Sequence, residues 1–233
     1  MIAAIVNALG IVAGSLVGFI FKKGLSEKLQ SSIMKAIGLC IFLVAMQNAI
    51  KTENTLCVII CMVFGTVIGE LLKIDDNLNK GADKIKNKIV KNDNGANSTF
   101  TEGFVTASLL FCVGSMAILG SIEAGVHHNY SIIYAKTVMD AMSSIVFTTT
   151  FGLGVACSAV PVLIVQGAIT LLATGLSGVL TESIVTEIAA VGGIMLFGLA
   201  INMLGLSKKP IKVANMIPAL FLPPLYLWLV SLF

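Results

Sequence analysis

Long apolar runs separated by short polar segments recur along the whole chain. Each run is about 17 to 26 residues long, close to the length that an α-helix needs to cross roughly 30 Å of hydrocarbon. The pattern predicts an all-α, polytopic transmembrane helix bundle of about eight spans. Their predicted bounds are 2 to 21, 34 to 50, 55 to 72, 104 to 122, 131 to 150, 155 to 180, 186 to 204 and 213 to 232.

The boundary between the fifth and sixth spans is the least defined. Gly152, Gly154 and Pro161 interrupt the apolar pattern there. A turn between two full spans and a pair of half-length re-entrant segments both fit this stretch, and either one leaves the direction of the later spans unchanged.

A surface helix is predicted after the third span. Apolar side chains recur at helical spacing from 73 to 91, with lysines and aspartates on the other faces. This pattern favours an amphipathic helix on the inner leaflet followed by a linker, so that 73 to 99 form one cytoplasmic segment. A solvated linker is the alternative. The chain from 1 to 233 is otherwise predicted to be a single transmembrane domain.

The lysines predict the orientation. Thirteen of the fifteen flank the first, third and seventh loops, which lie on one side of the predicted bundle. Lysine-rich loops usually remain in the cytoplasm. Both termini are therefore predicted outside, in a multi-pass protein of a cytoplasmic membrane.

Two charged residues lie inside the fifth span. Lys136 and Asp140 are one helical turn apart, so they share a face and can neutralise each other. Charges at this depth usually face a bundle interior or a wet cavity. Ser144 and Thr148 continue the same polar stripe, and the sixth span carries a second one. The candidate pathway for a substrate or ion is Lys136, Asp140, Ser144, Thr148, Gln166 and Thr170. The alternative is a buried pair that only fixes helix packing.

Glycines at helical spacing predict close contacts between helices, because they let another backbone approach. The partner helix can belong to the same chain or to a second copy, so a homo-oligomer stays open. The predicted packing positions are Gly10, Gly14, Gly18, Gly65, Gly69 and Gly114.

Composition narrows the function classes. The chain is 57% hydrophobic and 12% charged, and it contains no arginine, the residue best suited to bidentate capture of phosphate. Nucleic acid is therefore not an expected partner, whereas the lipid bilayer is. The five cysteines are odd in number and lie in apolar stretches, which argues against a disulfide framework and against a metal site. No cofactor is expected. No catalytic motif is apparent, so an enzyme is not predicted.

A weak internal repeat links two parts of the chain. Residues 15 to 48 align with 170 to 203 with seven identities, among them Glu27 with Glu182 and Gly38 with Gly193. The loop in the first copy is lysine-rich and its counterpart has no lysine. The first two spans would then be inverted relative to the sixth and seventh, a layout found in many secondary transporters.

The segment from Glu102 to Gly125, with its LLFCVGSMAILG core, and the following Lys136-x-x-x-Asp140 resemble the YdfK/YqgA-type family of bacterial inner-membrane proteins. So do the GTVIGELLKID run and the VANMIPAL run, and the likeness covers nearly the whole chain. It implies a bacterial inner-membrane protein of a class whose function is largely undefined. In that family a proline can stand where Ser115 is here.

The leading hypothesis is a secondary transporter or channel-like permease for an unidentified small solute or ion. The charged pair would form its binding or coupling site. The rival hypothesis is a membrane scaffold or regulatory protein that transports nothing, in which the pair stabilises helix packing.

Overall fold

The structure is a computed structural model that describes residues 1–22, 26–80, 97–176 and 180–230. All regular secondary structure in this part of the chain is helical, as the apolar pattern predicts. The helices are α1 Ile2–Lys22, α2 Glu27–Ala49, α3 Thr55–Leu71, α4 Ile74–Lys80, α5 Asn97–Val113, α6 Ser115–Val126, α7 Ser131–Phe151, α8 Gly154–Cys157, α9 Ala159–Leu176, α10 Glu182–Met203, the 3₁₀ helix η1 Val213–Phe221, and α11 Pro223–Val230.

Four helical stretches in the described ranges are long and apolar enough to cross a membrane, and three bent pairs raise that number to as many as seven. The predicted eight spans are therefore not confirmed. The fifth predicted span coincides with α7, a 21-residue helix that is not among the candidates. The polar residues of the candidate pathway on α7 lower the mean hydropathy of this helix.

Breaks in the helices have local causes. The bent pairs turn by 51° between α3 and α4, by 54° between α5 and α6, and by 40° between η1 and α11, where Pro223 opens the second helix. Helix α7 ends at Gly152, whose φ of +73° suits glycine best. The stretch from 151 to 161 therefore contains a turn between α7 and the helices that follow it.

The chain forms two compact units. Unit 1 contains residues 1–34 and 79–177, and unit 2 contains residues 35–78 and 178–233. The single transmembrane domain and the surface segment at 73–99 stay predictions: α4 covers 74–80, and residues 81–96 lie outside the described part. The internal repeat also stays a prediction.

In unit 1, α1 and α7 pack in parallel along a ridge of glycines. A Cβ at Gly14 would overlap the Ala141 carbonyl, and one at Gly18 would overlap the Ile145 carbonyl. Gly10 lies against Thr137, whose Cγ2 would be 2.8 Å from such a Cβ. Contacts between small residues thus bring the two backbones together, as the glycine spacing suggests.

In unit 2, α3 packs on η1 by the same means. Side chains at Gly65 and Gly69 would overlap Ala219 and Asn215 respectively. The Asn215 side chain accepts a hydrogen bond from the Asp75 amide at 2.7 Å and donates one to Glu70.

Gly114 does not fit the packing prediction. A Cβ there would meet no described atom within 4 Å. Its extended backbone instead caps the start of α6, at the bend beside Ser115. Gly114 therefore lies at a helix break. It matches the spacing of small residues in the sequence, but its role in the structure is to cap α6.

Candidate functional site

Lys136 and Asp140 face the interior of unit 1. They are 5% and 6% exposed, and the Lys136 ammonium pairs with Asp140 Oδ2. The ammonium also lies 5.7 Å from the ring centre of Phe111 on α5, where a cation–π interaction adds to its stabilisation. The predicted intrahelical pair thus exists, enclosed by protein in this conformation.

Two amides extend the pair into a network across three helices. Asn7 Nδ2 on α1 donates to Asp140 Oδ2 at 3.0 Å and to Gln166 Oε1 on α9 at 3.1 Å. Asn7 and Gln166 are both fully buried. We call Asn7, Lys136, Asp140 and Gln166 the central network. It joins side chains 133 and 159 residues apart in the chain.

The central network lies near the middle of α7. Asp140 is nine residues from the first residue of the helix and eleven from the last, or about 13 Å and 16 Å at 1.5 Å per residue. If α7 crosses the bilayer, the carboxylate lies near the midplane.

Some donors and acceptors of the central network have no hydrogen-bond partner among the described residues. Asp140 Oδ2 accepts two hydrogen bonds, from Asn7 and Lys136. Asn7 Oδ1 and Gln166 Nε2 are buried and have no hydrogen-bond partner among the described residues. These two groups offer one acceptor and one donor to a small molecule or ion. A buried polar group without a partner costs about 1–3 kcal/mol, so such groups usually meet water or a ligand.

Buried hydroxyls with the same property occur elsewhere in unit 1. All side-chain atoms found to be buried without a hydrogen-bond partner in the described ranges belong to unit 1. The hydroxyls among them are those of Ser15, Thr106, Ser108, Ser144, Thr148 and Thr150. Serine and threonine in helices often satisfy themselves on the carbonyl four residues back. Thr137 does so at 2.9 Å, but Ser144 and Thr148, on the adjoining stripe of α7, do not.

Thr170 is the one predicted pathway residue that the structure sets apart. Its hydroxyl donates to the Gln166 carbonyl at 2.7 Å, so it is bonded within its own helix. A Cβ at Gly125 would overlap the Thr170 carbonyl, which places this position at the contact between α6 and α9. Of Gln166 and Thr170, Gln166 is the one whose side chain is hydrogen-bonded into the central network.

Sequence reasoning missed Asn7, Ser15 and Thr106. Asn7 and Ser15 are single polar residues in an apolar run, and Thr106 is not part of a stripe with helical spacing. Asn7 shares a helix face with Gly14. A polar residue on the face of α1 predicted to pack against another helix was the signal in the sequence that could have identified Asn7. Its partners lie on α7 and α9, which a pattern within one helix cannot reveal.

Unit 2 contains a second buried carboxylate, Glu187 on α10, which is 1% exposed. It accepts hydrogen bonds from the Thr52 hydroxyl at 2.7 Å and from the backbone amides of Glu53 at 2.8 Å and Asn54 at 3.0 Å. The carboxylate thus satisfies donors just before α3, where the helix dipole also favours negative charge. This arrangement is well suited to fixing the α2–α3 loop.

Replacing Glu187 with alanine is expected to destabilise the fold by about 1–3 kcal/mol, because two part-buried amides and a hydroxyl lose their acceptor. Glutamine keeps one amide-facing oxygen and should cost less. Thermal unfolding in detergent measures both. Equal unfolding temperatures for wild type and Glu187→Ala would show that the loop does not depend on this carboxylate.

Comparison with known proteins places the chain among membrane proteins. A family model described as "Protein of unknown function (DUF554)" matches residues 2–228. The chain is 32% identical over 237 residues to "Uncharacterized membrane protein YdfK" of Bacillus subtilis strain 168, covering all of this chain and 98% of that protein. It is 26% identical to "Uncharacterized protein YqgA" of Escherichia coli K12, over 95% of this chain and 94% of that protein. No solved structure matches.

These matches confirm the resemblance that the motifs suggested. They cover almost the whole chain, including the helices that carry the central network. The protein therefore belongs to the DUF554 family, together with relatives of which one is named as a membrane protein.

Proposed function

We propose that the protein is a secondary transporter or channel-like permease for a small solute or ion, with the Lys136–Asp140 pair as its binding or coupling site. The observation that carries this proposal is the group of buried polar atoms without a described hydrogen-bond partner in unit 1, two of which belong to the central network. A unit built only for packing would be expected to saturate these groups or replace them with apolar side chains.

Lys136 would act as the exchangeable partner of Asp140. In the conformation described here, the Lys136 ammonium pairs with Asp140 Oδ2. A proton or a small cation that reaches Asp140 could replace Lys136 as its countercharge, provided that the pair opens. The free acceptor on Asn7 and the free donor on Gln166 would orient such a species or its water.

The parallel packing of α1 and α7 supports the proposed membrane topology. If both helices span the bilayer, they must cross it in the same direction, as the first and fifth of a series of alternating spans do. With the lysine-rich loops in the cytoplasm, both termini lie outside and the C-terminal ends of α1 and α7 lie inside. That this membrane is the bacterial inner membrane is part of the proposal, and the resemblance to the YdfK/YqgA-type family supports it.

The second candidate function is a non-transporting scaffold. It is favoured by the low exposure of the pair and by the contact of Lys136 with Phe111, which together suit a fixed packing element. A scaffold predicts that the pair matters for stability alone.

Flux in reconstituted vesicles tests the proposal. Proton flux is measured with an entrapped pH-sensitive dye, Na⁺ and K⁺ flux with isotopes, and uptake of glycerol and urea by light scattering. Asp140→Asn keeps the size of the side chain and removes its charge. We expect it to reduce the flux of the transported species at least tenfold.

Met142→Leu is the matched control, since Met142 is on the same helix and 63% exposed. It should leave flux unchanged. Equal flux for wild type and Asp140→Asn would remove Asp140 from the mechanism. If none of the five species moves faster than through protein-free vesicles, the scaffold is favoured.

A further inference from the structure

The interior of unit 1 differs on the two sides of Asp140. Towards the C-terminal end of α7, Ser144 and Thr148 follow Asp140 at successive turns, and both are fully buried without a described hydrogen-bond partner. Towards the N-terminal end, Ile133 is fully buried and packs with Ala3 and Ala124, and Tyr130 lies against them. The C-terminal side therefore carries buried hydroxyls without a described partner, whereas the side chains named on the N-terminal side are mainly apolar.

Neighbouring helices contribute to the polar side at matching heights. Because α1 runs parallel to α7, with Gly14 beside Ala141 and Gly18 beside Ile145, Ser15 lies level with the turns just beyond Asp140. Helix α5 runs the other way: Gly103 lies beside Phe151, and the rings of Phe111 and Phe147 are 6.2 Å apart. Thr106 is one turn from Gly103 on the face towards α7, near the level of Thr148.

We call the buried hydroxyls of Ser15, Thr106, Ser144 and Thr148 the hydroxyl cluster. Each is 0% exposed, and none hydrogen-bonds to a described residue. Four hydroxyls from three helices, each both donor and acceptor, suit a chain of water molecules better than they suit a dry contact.

We propose that unit 1 contains a one-sided path for water and protons, which runs from Asp140 through the hydroxyl cluster to the C-terminal ends of α1 and α7. Ala3, Ala124, Ile133 and Tyr130 form an apolar plug that closes the other side. The inference deepens the proposed function and rests on it for its biological meaning. It describes a conformation that gives access to the coupling site from one membrane face.

Lys22 marks the end of this path. Its ammonium donates to the Thr150 carbonyl at 3.5 Å and would be 3.0 Å from a Cβ at Gly152. A lysine at this point is favoured by the negative ends of both helix dipoles. It also places a positive charge where the path meets the membrane surface, which would disfavour the entry of metal cations relative to water.

Labelling of engineered cysteines tests the path without measuring flux. The probe is a membrane-impermeant methanethiosulfonate with a quaternary ammonium group, applied to right-side-out and to inverted membrane vesicles. Peptide mass spectrometry locates the label, so the native cysteines can remain. Ser26→Cys marks the side on which α1 ends, and His127→Cys marks the side on which α7 begins.

Ser144→Cys and Thr148→Cys are expected to react from the Ser26 side only, at least tenfold faster than Met142→Cys on the lipid-facing side of α7. Ser15→Cys carries the same expectation if either variant fails to fold. Reaction from the His127 side, or at the rate of Met142→Cys, would overturn the path. Adding Ile133→Ser should admit the reagent to Ser144→Cys from the His127 side, and unchanged one-sided labelling would overturn the plug.

The two proposals can fail separately. One-sided labelling in a protein that moves none of the tested species keeps the path and removes transport. Flux that depends on Asp140, together with unreactive cysteines at 15, 144 and 148, keeps transport and removes the path.

Discussion

Replacing Lys136 with methionine is expected to lower the free energy of unfolding by about 3–5 kcal/mol, because the Asp140 carboxylate would stay buried without its countercharge. Asn7 alone would then stabilise Asp140 Oδ2. For a chain of this size the loss corresponds to a fall in Tm on the order of 10 °C. Thermal unfolding of the purified protein in detergent measures it.

The matched double variant separates charge from packing. Lys136→Met combined with Asp140→Leu removes both charges at similar volume, and such exchanges are often neutral or stabilising. We therefore expect its Tm to return to within a few degrees of wild type. If the double variant is as unstable as Lys136→Met, the loss of stability comes from the changed shape of the side chains and not from the unpaired charge. If Lys136→Met is as stable as wild type, the pair is not buried as described.

Replacing Gly14 with valine is the second large effect. The new side chain would overlap the Ala141 backbone, which cannot move aside as a flexible side chain can. Overpacking usually costs about 1–3 kcal/mol, and a clash with backbone lies at the upper end of that range. Separation of α1 from α7 would also pull Asn7 away from Asp140, so we expect flux to fall as well.

Ala13→Val is the control for this variant. Ala13 is exposed on α1, about 100° around the helix from the buried Gly14, so a valine there extends away from the contact with α7. Its Tm should stay within about 2 °C of wild type, as for most surface changes. If Gly14→Val is as stable as Ala13→Val, the close contact between α1 and α7 is wrong.

Much of the fold follows from the order of the residues alone. Apolar runs of membrane-spanning length give the helices, because a backbone in hydrocarbon must satisfy its own hydrogen bonds. Spacing of three and four placed Lys136, Asp140, Ser144 and Thr148 on one face of α7, and the structure keeps them there. The glycine ridge of α1 was predicted for the same reason.

The remaining site residues depend on contacts between helices, which periodicity does not encode. Asn7 bonds to Asp140 and Gln166 across 133 and 159 residues of chain, so its role becomes visible only in the fold. Gly114 satisfied a spacing pattern but caps the start of α6 at a helix break. Thr170 stays a predicted pathway residue, and its hydroxyl is bonded within its own helix. Small and hydroxylated residues fit several local roles equally well.

We propose that the charged pair is retained for the passage of a solute or ion and not for packing. Vesicle flux of the Lys136→Met/Asp140→Leu variant separates these two roles, because that protein is expected to fold. We expect it to elute and unfold as the wild type does, with flux no higher than in protein-free vesicles. A folded double variant that transports at the wild-type rate would show that the pair is not needed for passage.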